Sequence, residues 1–558
     1  MKKAALIIVV LLAVVTASVL WVRGQIGITD PALLVSPEAA MYVTLPDLPR
    51  SYMRWPKTTL SKISAEQEMK DFLQKPVEFL SKERGGNEAS TILMGLKPGR
   101  IYAAALAPAG GDVQSVLGFQ YWGSRSEFDK AIARMRAELH RGAPPETTKE
   151  DHLGTEISSS TLPDGSKLFT ATQSRWGLLS NNREALVAVI DRAAGRSTSP
   201  SLATDPAYIK VLENLPKESD LLAFVRPGQI LDVLLDVGSQ LGAAPDPKQV
   251  EQIRKAEAAG FALKLDGADL RDALFLLRPN PPNLGALNHQ GLALTSAKTM
   301  GYFGFLLQYD VLAKAAKDPS LQKYVPGSSG GAPSLFDRLA GAFGKEASIS
   351  FAWPVERMTP ELLVSAAVID PAQVEEILME ATSMLPETTV IEKNGSKYYT
   401  FPTLRSTFLD PTLAVSTDLL VFGLNPGEVD MALANRGNSE NLKSSPAFAP
   451  ALPALATANE TFGFIDSKAL FERAFPLLRQ IITFGSSFMP GADQFLDASK
   501  IPQTETISKH LTPIIFSQTR LDSGYLIESS GPITMNQAAI LTIGSGAAFL
   551  GPQLLNQQ

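Results

Sequence analysis

Ser199–Tyr208 has the sequence Ser-Pro-Ser-Leu-Ala-Thr-Asp-Pro-Ala-Tyr, and Ser439–Phe448 has the sequence Ser-Glu-Asn-Leu-Lys-Ser-Ser-Pro-Ala-Phe. At a constant offset of 240 residues (442 − 202), apolar and turn-forming residues coincide in and after these two stretches. A repeated fold keeps such positions for packing and for chain reversal, so the sequence predicts an internal duplication. The coinciding pairs are Leu202 and Leu442, Pro206 and Pro446, Ala207 and Ala447, Tyr208 and Phe448, Leu212 and Leu452, Leu215 and Leu455, and Phe224 and Phe464.

Two further pairs of segments support the duplication. Asp164–Thr170 (Asp-Gly-Ser-Lys-Leu-Phe-Thr) resembles Asn394–Thr400 (Asn-Gly-Ser-Lys-Tyr-Tyr-Thr). Asn181–Glu184 and Asn425–Glu428 each precede a helical pattern. The offset differs between the two landmarks (395 − 165 = 230 and 428 − 184 = 244), which predicts loops of different length in the two copies. The second alignment pairs Arg192 with Arg436.

Strand and helix patterns recur in the same order in both copies. Leu221–Val225 and Thr461–Ile465 are predicted strands, and each copy ends in a predicted hairpin, the first of which turns at Asp266-Gly267-Ala268. We therefore predict an α+β fold in which each copy forms an antiparallel sheet covered on one face by amphipathic helices. The clearest helix starts are the capping box Ser124-x-x-Glu127 and the cap-proline pair Asp370-Pro371.

The predicted domains follow from this repeat. The segment from Pro279 to Leu287 is rich in Pro and Asn and marks the best internal boundary. The apolar tail from Ala538 to Leu550 is too short to span a bilayer comfortably, and we interpret it as a docked helix or an interfacial segment. The predicted divisions are a membrane anchor at 1–25, a linker at 26–36, repeats at 37–292 and 293–535, and an apolar tail at 536–558.

The N-terminus carries the most specific functional signal. Lys2 and Lys3 precede an apolar run, Ala4–Val22, that Arg23 closes. As a helix this run is roughly 28 Å long, close to the thickness of the hydrocarbon core. The lysines place the N-terminus in the cytoplasm and the rest of the chain on the other side of the membrane. For a bacterial inner membrane, that side is the periplasm. Cleavage after Val15-Thr16-Ala17 is the alternative, and it predicts a secreted protein.

Composition narrows the classes of function. A formal net charge of −6 and a pI near 5.5 argue against a nucleic-acid partner. The chain has no cysteine, which excludes disulfides, thiolate nucleophiles, iron–sulfur clusters and cysteine-ligated zinc. A chain of 558 residues has a core large enough to be stable outside the cell without disulfides.

No recognised catalytic or metal-binding motif emerges. None of the four histidines, His140, His152, His289 and His510, forms an i, i+4 pair for a metal, so we interpret them as isolated surface or loop residues. The elbow-like Gly327–Gly331 lies in a Gly/Ser loop and is not placed between strand and helix. The remaining candidates are the trio Asp266, Asp269 and Asp272, interpreted as a solvated turn without the spacing of a calcium loop, and the helical pair Glu375 and Glu376.

The tryptophans are scattered along the chain. Trp21 lies in the predicted anchor, and the other four are Trp55, Trp122, Trp176 and Trp353. Aromatic residues at strand ends are compatible with an apolar groove between sheet and helices, and ordinary core packing explains them equally well. We therefore predict no catalytic, cofactor-binding or metal-binding residues and no cofactor.

The anchor is followed by Pro37-Glu38-Ala39-Ala40, which leads into a strand. Phe336-Asp337-x-x-Ala340 leads through Gly344-x-Glu346-Ala347 into another. In these features the chain resembles large exported bacterial proteins of unknown function that are anchored at the N-terminus and built from degenerate repeats. The resemblance implies localisation and architecture, and it transfers no catalytic residue.

Three hypotheses of function follow. The first is a membrane-anchored, non-enzymatic protein of the bacterial cell envelope that binds or scaffolds a protein partner. The second is a periplasmic carrier or sensor of an apolar cargo such as lipid. The third is a hydrolase with dispersed carboxylates. An exposed apolar patch favours the first, an enclosed apolar cavity the second, and a cleft with converging acidic groups the third.

Overall fold

The computed structural model describes residues 30–84, 96–106, 113–139, 146–240, 247–309, 335–383, 385, 387–406, 409–486 and 497–537. Two compact units divide this part of the chain. The first contains the chain up to Pro56, Pro76–Leu265 and Asp272–Pro279. The second contains Lys57–Lys75, Asp266–Arg271 and the chain from Asn280 onward, so two short segments from the first half of the sequence belong to it. The predicted limits 37–292 and 293–535 stay predictions.

The first half of the sequence contains ten strands among its described residues. They are β1 Ala39–Leu45, β2 Pro98–Leu106, β3 Gln114–Tyr121, β4 Thr147–His152, β5 Thr155–Thr161, β6 Lys167–Gln173, β7 Trp176–Ser180, β8 Leu221–Val225, β9 Ala258–Asp266 and β10 Asp269–Leu277. The helices are α1 Leu48–Arg54, α2 Thr59–Ala65, α3 Gln67–Arg84, α4 Arg125–Leu139, α5 Arg183–Ala193, α6 Pro206–Glu213, α7 Pro227–Gln240 and α8 Pro247–Arg254. Short 3-10 turns lie at Pro31–Leu33, Trp55–Lys57 and Leu202–Thr204.

The second half contains ten further strands. They are β11 Gly301–Leu306, β12 Phe343–Ala352, β13 Glu361–Val368, β14 Thr389–Lys393, β15 Ser396–Thr400, β16 Thr412–Val415, β17 Leu419–Gly423, β18 Thr461–Ile465, β19 Ile514–Leu521 and β20 Gly524–Gly531. The helices are α9 Leu335–Ala342, α10 Pro371–Ser383, α11 Pro426–Asn435, α12 Leu452–Thr457, α13 Ser467–Ser486 and α14 Thr504–Ser508. The 3-10 turns are Gln290–Leu294, Pro402–Leu404, Leu442–Ser444, Pro446–Ala451 and Ala498–Lys500.

The two halves have the same sheet topology. The first ten strands pair in the order β4-β5-β6-β7-β3-β2-β1-β8-β9-β10. The second ten pair in the order β14-β15-β16-β17-β13-β12-β11-β18-β19-β20, again antiparallel. Each strand of the first half therefore has a counterpart ten places later. This order confirms the predicted duplication and the α+β class.

The repeated stretch places an aromatic ring on the sheet in both copies. In the first, the Asp205 side chain accepts a hydrogen bond from the Tyr208 backbone N–H at 2.9 Å, which starts α6 at a proline. The Tyr208 ring then lies edge-on to Phe224 at 5.3 Å between centroids. Phe448 contacts Phe464 in the same way at 4.9 Å. All four rings are buried, so these four matched residues belong to the core.

One of the sequence landmarks was aligned wrongly. Asn394-Gly395 forms the turn between β14 and β15, whereas Asp164-Gly165 lies between β5 and β6. The topological counterpart of Asn394-Gly395 is Leu153-Gly154 between β4 and β5, and all four residues of these two turns have positive φ. Asp-Gly and Asn-Gly suit many tight turns, so their recurrence does not identify which turn is meant.

The helix alignment shifts by one residue. Val116 faces Ser180 across β3 and β7, and Leu363 faces Gly423 across the equivalent strands β13 and β17. Two residues after Ser180 and Gly423, Asn182 and Asn425 are the N-caps of α5 and α11. The structural counterpart of Arg192 is therefore Asn435, and the predicted pairing with Arg436 is wrong.

The predicted helix starts are confirmed, and the helices cover both faces of the sheet. The Ser124 hydroxyl accepts from the Glu127 N–H at 3.2 Å, and Asp370 accepts from Gln373 at 3.1 Å. In the second unit, α10 packs on the face that contains Leu420, and α11 packs on the face that contains the next residue, Val421. The sequence predicted helices on one face; near-continuous apolar strands such as β17 instead have two faces to bury.

None of the helices in the described ranges combines the length and the apolarity that a membrane span requires. Several predictions fall outside those ranges: the anchor run Ala4–Val22 with Trp21, the histidine at 140, the loop Gly327–Gly331 and the tail Ala538–Leu550.

Candidate functional site

The three described histidines lie apart and have different surroundings. His152 Nε2 lies 3.0 Å from an oxygen of Asp191. His510 Nε2 lies 2.7 Å from an oxygen of Glu66, and hydrogen bonds from Lys509 and His510 lower the pKa of the Glu66 carboxyl. His289 is partly buried, and burial lowers its pKa. His152 and His510 therefore each pair with one carboxylate, whereas the sequence predicted isolated histidines.

The aspartate trio does not form the solvated turn that was predicted. Asp266 lies on the surface, 3.7 Å from Arg271. Asp269 accepts a hydrogen bond from the hydroxyl of Thr512, and partial burial raises its pKa. Asp272 is fully buried within β10. Among the described residues, no group of three His, Asp or Glu side chains could hold a metal ion.

The other candidates have structural roles. Trp176 is fully buried against Tyr102, whereas Trp55 and Trp122 are exposed. Glu375 accepts a hydrogen bond from Lys397 Nζ at 2.7 Å on the surface of the second unit. The guanidinium of Arg473, in α13, covers the ring of Trp353. These tryptophans therefore serve as core, surface and loop residues in turn.

A half-open pocket of about 450 Å³ lies in the second unit. It lies between the 3-10 turn Gln290–Leu294, strands β12 and β13, and helix α11. Its lining combines apolar and charged side chains, as many small-molecule sites do. The apolar residues include Phe351, Leu363 and Met431, and the charged ones include Arg357, Glu361 and Glu428.

Glu428 is held rigidly at the start of α11. One of its oxygens accepts the backbone N–H of Leu424 at 3.0 Å. The other accepts the Asn425 side-chain amide at 2.8 Å and Arg357 Nη1 at 3.3 Å. The side chain is 1% exposed, so these bonds replace its hydration. Both oxygens of Glu428 are therefore occupied by protein groups.

Glu361 is less constrained. Arg357 Nε lies 3.2 Å from one of its oxygens, and within the described chain this is its only ion pair. Partial burial raises the pKa of the Glu361 carboxyl, Arg357 opposes that shift, and the Glu428 charge adds to it. Glu361 is thus a carboxylate at the pocket surface with capacity for a further hydrogen-bond donor.

A residue of helix α13 holds the loop that carries Arg357. The Arg473 guanidinium donates to the backbone carbonyl of Arg357 and lies over the Trp353 ring at 5.3 Å. A cation over an indole face adds electrostatic attraction to this contact. Arg357 therefore enters the pocket from a loop held in place by a long helix.

The sequence contained no signal for this pocket. Glu361 and Glu428 are 67 residues apart (428 − 361), and neither belongs to a spaced motif. They meet because β13 and β17 are neighbours in the sheet and α11 follows β17 directly.

Helix α13 exposes apolar side chains along its second half. Leu478, Ile481 and Phe484 are 50%, 66% and 71% exposed. In its first half, the half-buried rings of Phe471 and Phe475 stack with their centroids 4.5 Å apart. Contiguous exposed apolar side chains are more typical of an interaction surface than of a free monomer surface.

We expect the double substitution Leu478→Ser and Ile481→Ser to leave the free energy of unfolding within about 0.5 kcal/mol of the parent, because both side chains are largely exposed to water. Light scattering should show reduced self-association at high protein concentration. The matched control is Phe475→Ser on the same helix, which should lower the unfolding temperature because it removes a stacked ring. An equal loss in both variants would show that the outer residues are packed.

No family model matches the chain, and no curated protein matches it. Solved structures of TP0453 are similar over part of the chain. Crystal form I is 9% identical with a TM-score of 0.25, covering 63% of this chain and 97% of TP0453. Crystal form III is 12% identical with a TM-score of 0.26, covering 46% and 82%. Likenesses at this level of superposition carry no argument about function.

Proposed function

We propose that this chain is a membrane-anchored, non-catalytic binding protein of the bacterial cell envelope, with its bulk outside the cytoplasm. The pocket between β12, β13 and α11 is the proposed ligand site. Its ligand is a small molecule with an apolar body and a protonated amine. The anchor run Ala4–Val22 supports the localisation, and the exposed side of α13 supports an additional protein partner.

The carrying observation is Glu361, which has one oxygen beside Arg357 and remaining acceptor capacity at the pocket surface. The pocket lining contains three carboxylates, Glu356, Glu361 and Glu428, and two cationic side chains, Lys298 and Arg357. A cation completes this set, and the apolar walls cover its attached carbon body. A ligand with a protonated amine is a narrower class than the apolar cargo of the second hypothesis from the sequence.

Converging carboxylates also favour the hydrolase hypothesis. A pair of carboxyl groups, one with a raised pKa, is the arrangement of many glycoside hydrolases. Both oxygens of Glu428, however, are held by Leu424, Asn425 and Arg357, so Glu428 lacks the freedom of a nucleophile or base. The geometry therefore supports binding over hydrolysis.

The test is isothermal titration of the full chain in nanodiscs with benzylamine, and with benzyl alcohol as the neutral analogue. We expect saturable benzylamine binding, at about 1 mM for so small a probe. Glu361→Gln should weaken it by about ten- to a hundredfold, because a charge-assisted hydrogen bond is lost. Binding of benzyl alcohol should change little.

The pH dependence of benzylamine affinity provides a second test of the site. Because the folded-state pKa of Glu361 is raised, protonation on acidification begins above the usual range of glutamate. Benzylamine affinity should fall as pH drops through that pKa, and Glu361→Gln should abolish this step. The other charged groups that line the pocket are Lys298, Glu356, Arg357 and Glu428. Equal affinity of parent and variant at neutral pH would refute the proposed site.

A further inference from the structure

The first unit contains a pocket at the equivalent place. It has a volume of about 230 Å³ and lies between the segment Val35-Ser36, strands β2 and β3, and helix α5. These elements are the counterparts of the turn before β11, of β12 and β13, and of α11. A cavity that recurs between the same elements of both copies is a property of the repeated fold and not an accident of one packing arrangement.

Strand registers make the two linings comparable residue by residue. Tyr42 faces Ala104 and Tyr302 faces Ser350, and these alanine and serine residues both line their pockets. One strand further, Ala104 faces Val116 and Ser350 faces Leu363. On the helices, the shared N-cap position equates the pocket residues Ala188 with Met431 and Val189 with Ala432.

The two pockets have different charged residues at equivalent positions. Two residues before Val116 and Leu363 in the sequence, Gln114 stands where the second unit has Glu361. On the helices, Ala185 stands where the second unit has Glu428. The last pocket position of the helix is Arg192 in the first unit and Asn435 in the second. Glu361 and Glu428 therefore have neutral counterparts in the first pocket, and Arg192 has a neutral counterpart in the second. Glu184, which also lines the first pocket, corresponds to Gly427.

Arg192 forms no ion pair with any residue in the part of the chain that the structure describes. Its Nη2 donates to the carbonyl of Pro200 at 3.3 Å, and its Nε is buried without a hydrogen-bond partner among the described residues. Burial lowers its pKa, in keeping with a guanidinium that is partly removed from water. Glu184 also lines the pocket, but it lies eight residues earlier on α5, about 12 Å along the axis. It is too distant to neutralise Arg192 directly.

We infer that the pocket of the first unit is a second ligand site, for a small anion with a carboxylate and a compact apolar body, and that Arg192 binds the carboxylate. An unpaired, partly buried guanidinium offers charge-assisted donors that a carboxylate satisfies. Gln114 supplies a neutral polar group at the position where the second unit has an acid. This inference rests on the proposed function only in treating the repeated pocket as a binding site. The two units then bind ligands of opposite charge.

The experiment titrates benzoate, with benzylamine as the isosteric cation, into the full chain in nanodiscs. Arg192→Asn installs the residue of the second unit at the equivalent position and should weaken benzoate binding at least tenfold. Ala188→Met installs the larger residue of the second unit at an exposed helix position and should weaken benzoate by filling the pocket. Neither change should alter benzylamine binding, and circular dichroism verifies that each variant is folded.

Benzoate binding that survives both Arg192→Asn and Ala188→Met would overturn the inference, as would the absence of saturable benzoate binding to the parent chain. Loss of benzoate binding in both variants, with benzylamine binding retained, would support it. The proposed function is tested by different residues, since Glu361→Gln affects benzylamine alone. Failure of either idea is therefore distinguishable from failure of the other.

Discussion

Replacing Phe448 by alanine is expected to lower the free energy of unfolding of the second unit by about 3–5 kcal/mol. The ring is fully buried and lies 4.9 Å from the Phe464 ring and 5.9 Å from the Phe462 ring. Its removal costs the transfer energy of the ring and leaves a cavity between the repeated stretch and β18. Surrounding strands cannot close this cavity without breaking their register.

Amide hydrogen exchange of β18 measures this loss, because core strands exchange only through large-scale opening. Strand β8 is the internal reference, since it occupies the equivalent place in the first unit. The matched control is Leu452→Ala, close by in the chain, whose side chain is 45% exposed and should contribute little. Similar protection of β18 in both variants would show that Phe448 is not a core residue of the repeat.

Glu428→Ala is expected to destabilise the second unit by about 3 kcal/mol, at the lower end of the cost of breaking a buried ion pair. The substitution leaves the Leu424 N–H without its acceptor and Arg357 without one of its two carboxylates. Arg357 is 38% exposed and can recover part of its hydration, which limits the loss. The start of α11 and the loop that carries Arg357 should both become more mobile.

Urea unfolding and exchange protection of α11 measure the effect. Glu184→Ala on the equivalent helix is the control, because Glu184 is exposed and α5 is capped by Asn182, whose side chain accepts from the Ala185 N–H at 2.9 Å. Asn425 does not cap α11 in this way and instead donates to Glu428. A loss for Glu184→Ala as large as for Glu428→Ala would contradict this division of roles.

The duplication illustrates what pattern reasoning can and cannot locate. Leu202 and Phe224 aligned correctly with their counterparts because core positions tolerate few residue types. The Asp-Gly and Asn-Gly turns misled the alignment because several hairpins accept the same turn residues. The arginine pairing failed by one residue because Arg192 lies within α5, whereas Arg436 follows the last residue of α11 and pairs with Asp418.

The sequence by itself determined the duplicated α+β class, because the spacing of apolar residues follows the strand and helix periods and survives divergence of everything else. Only the tertiary structure decided the pockets. Glu361, Glu428 and Arg357 meet through the neighbouring strands β13 and β17, and Gln114 and Arg192 line a single cavity through the equivalent strands β3 and β7. Strand order in a sheet depends on long-range pairing, which local periodicity does not encode, and so the charges that distinguish the two sites appear only in the folded chain.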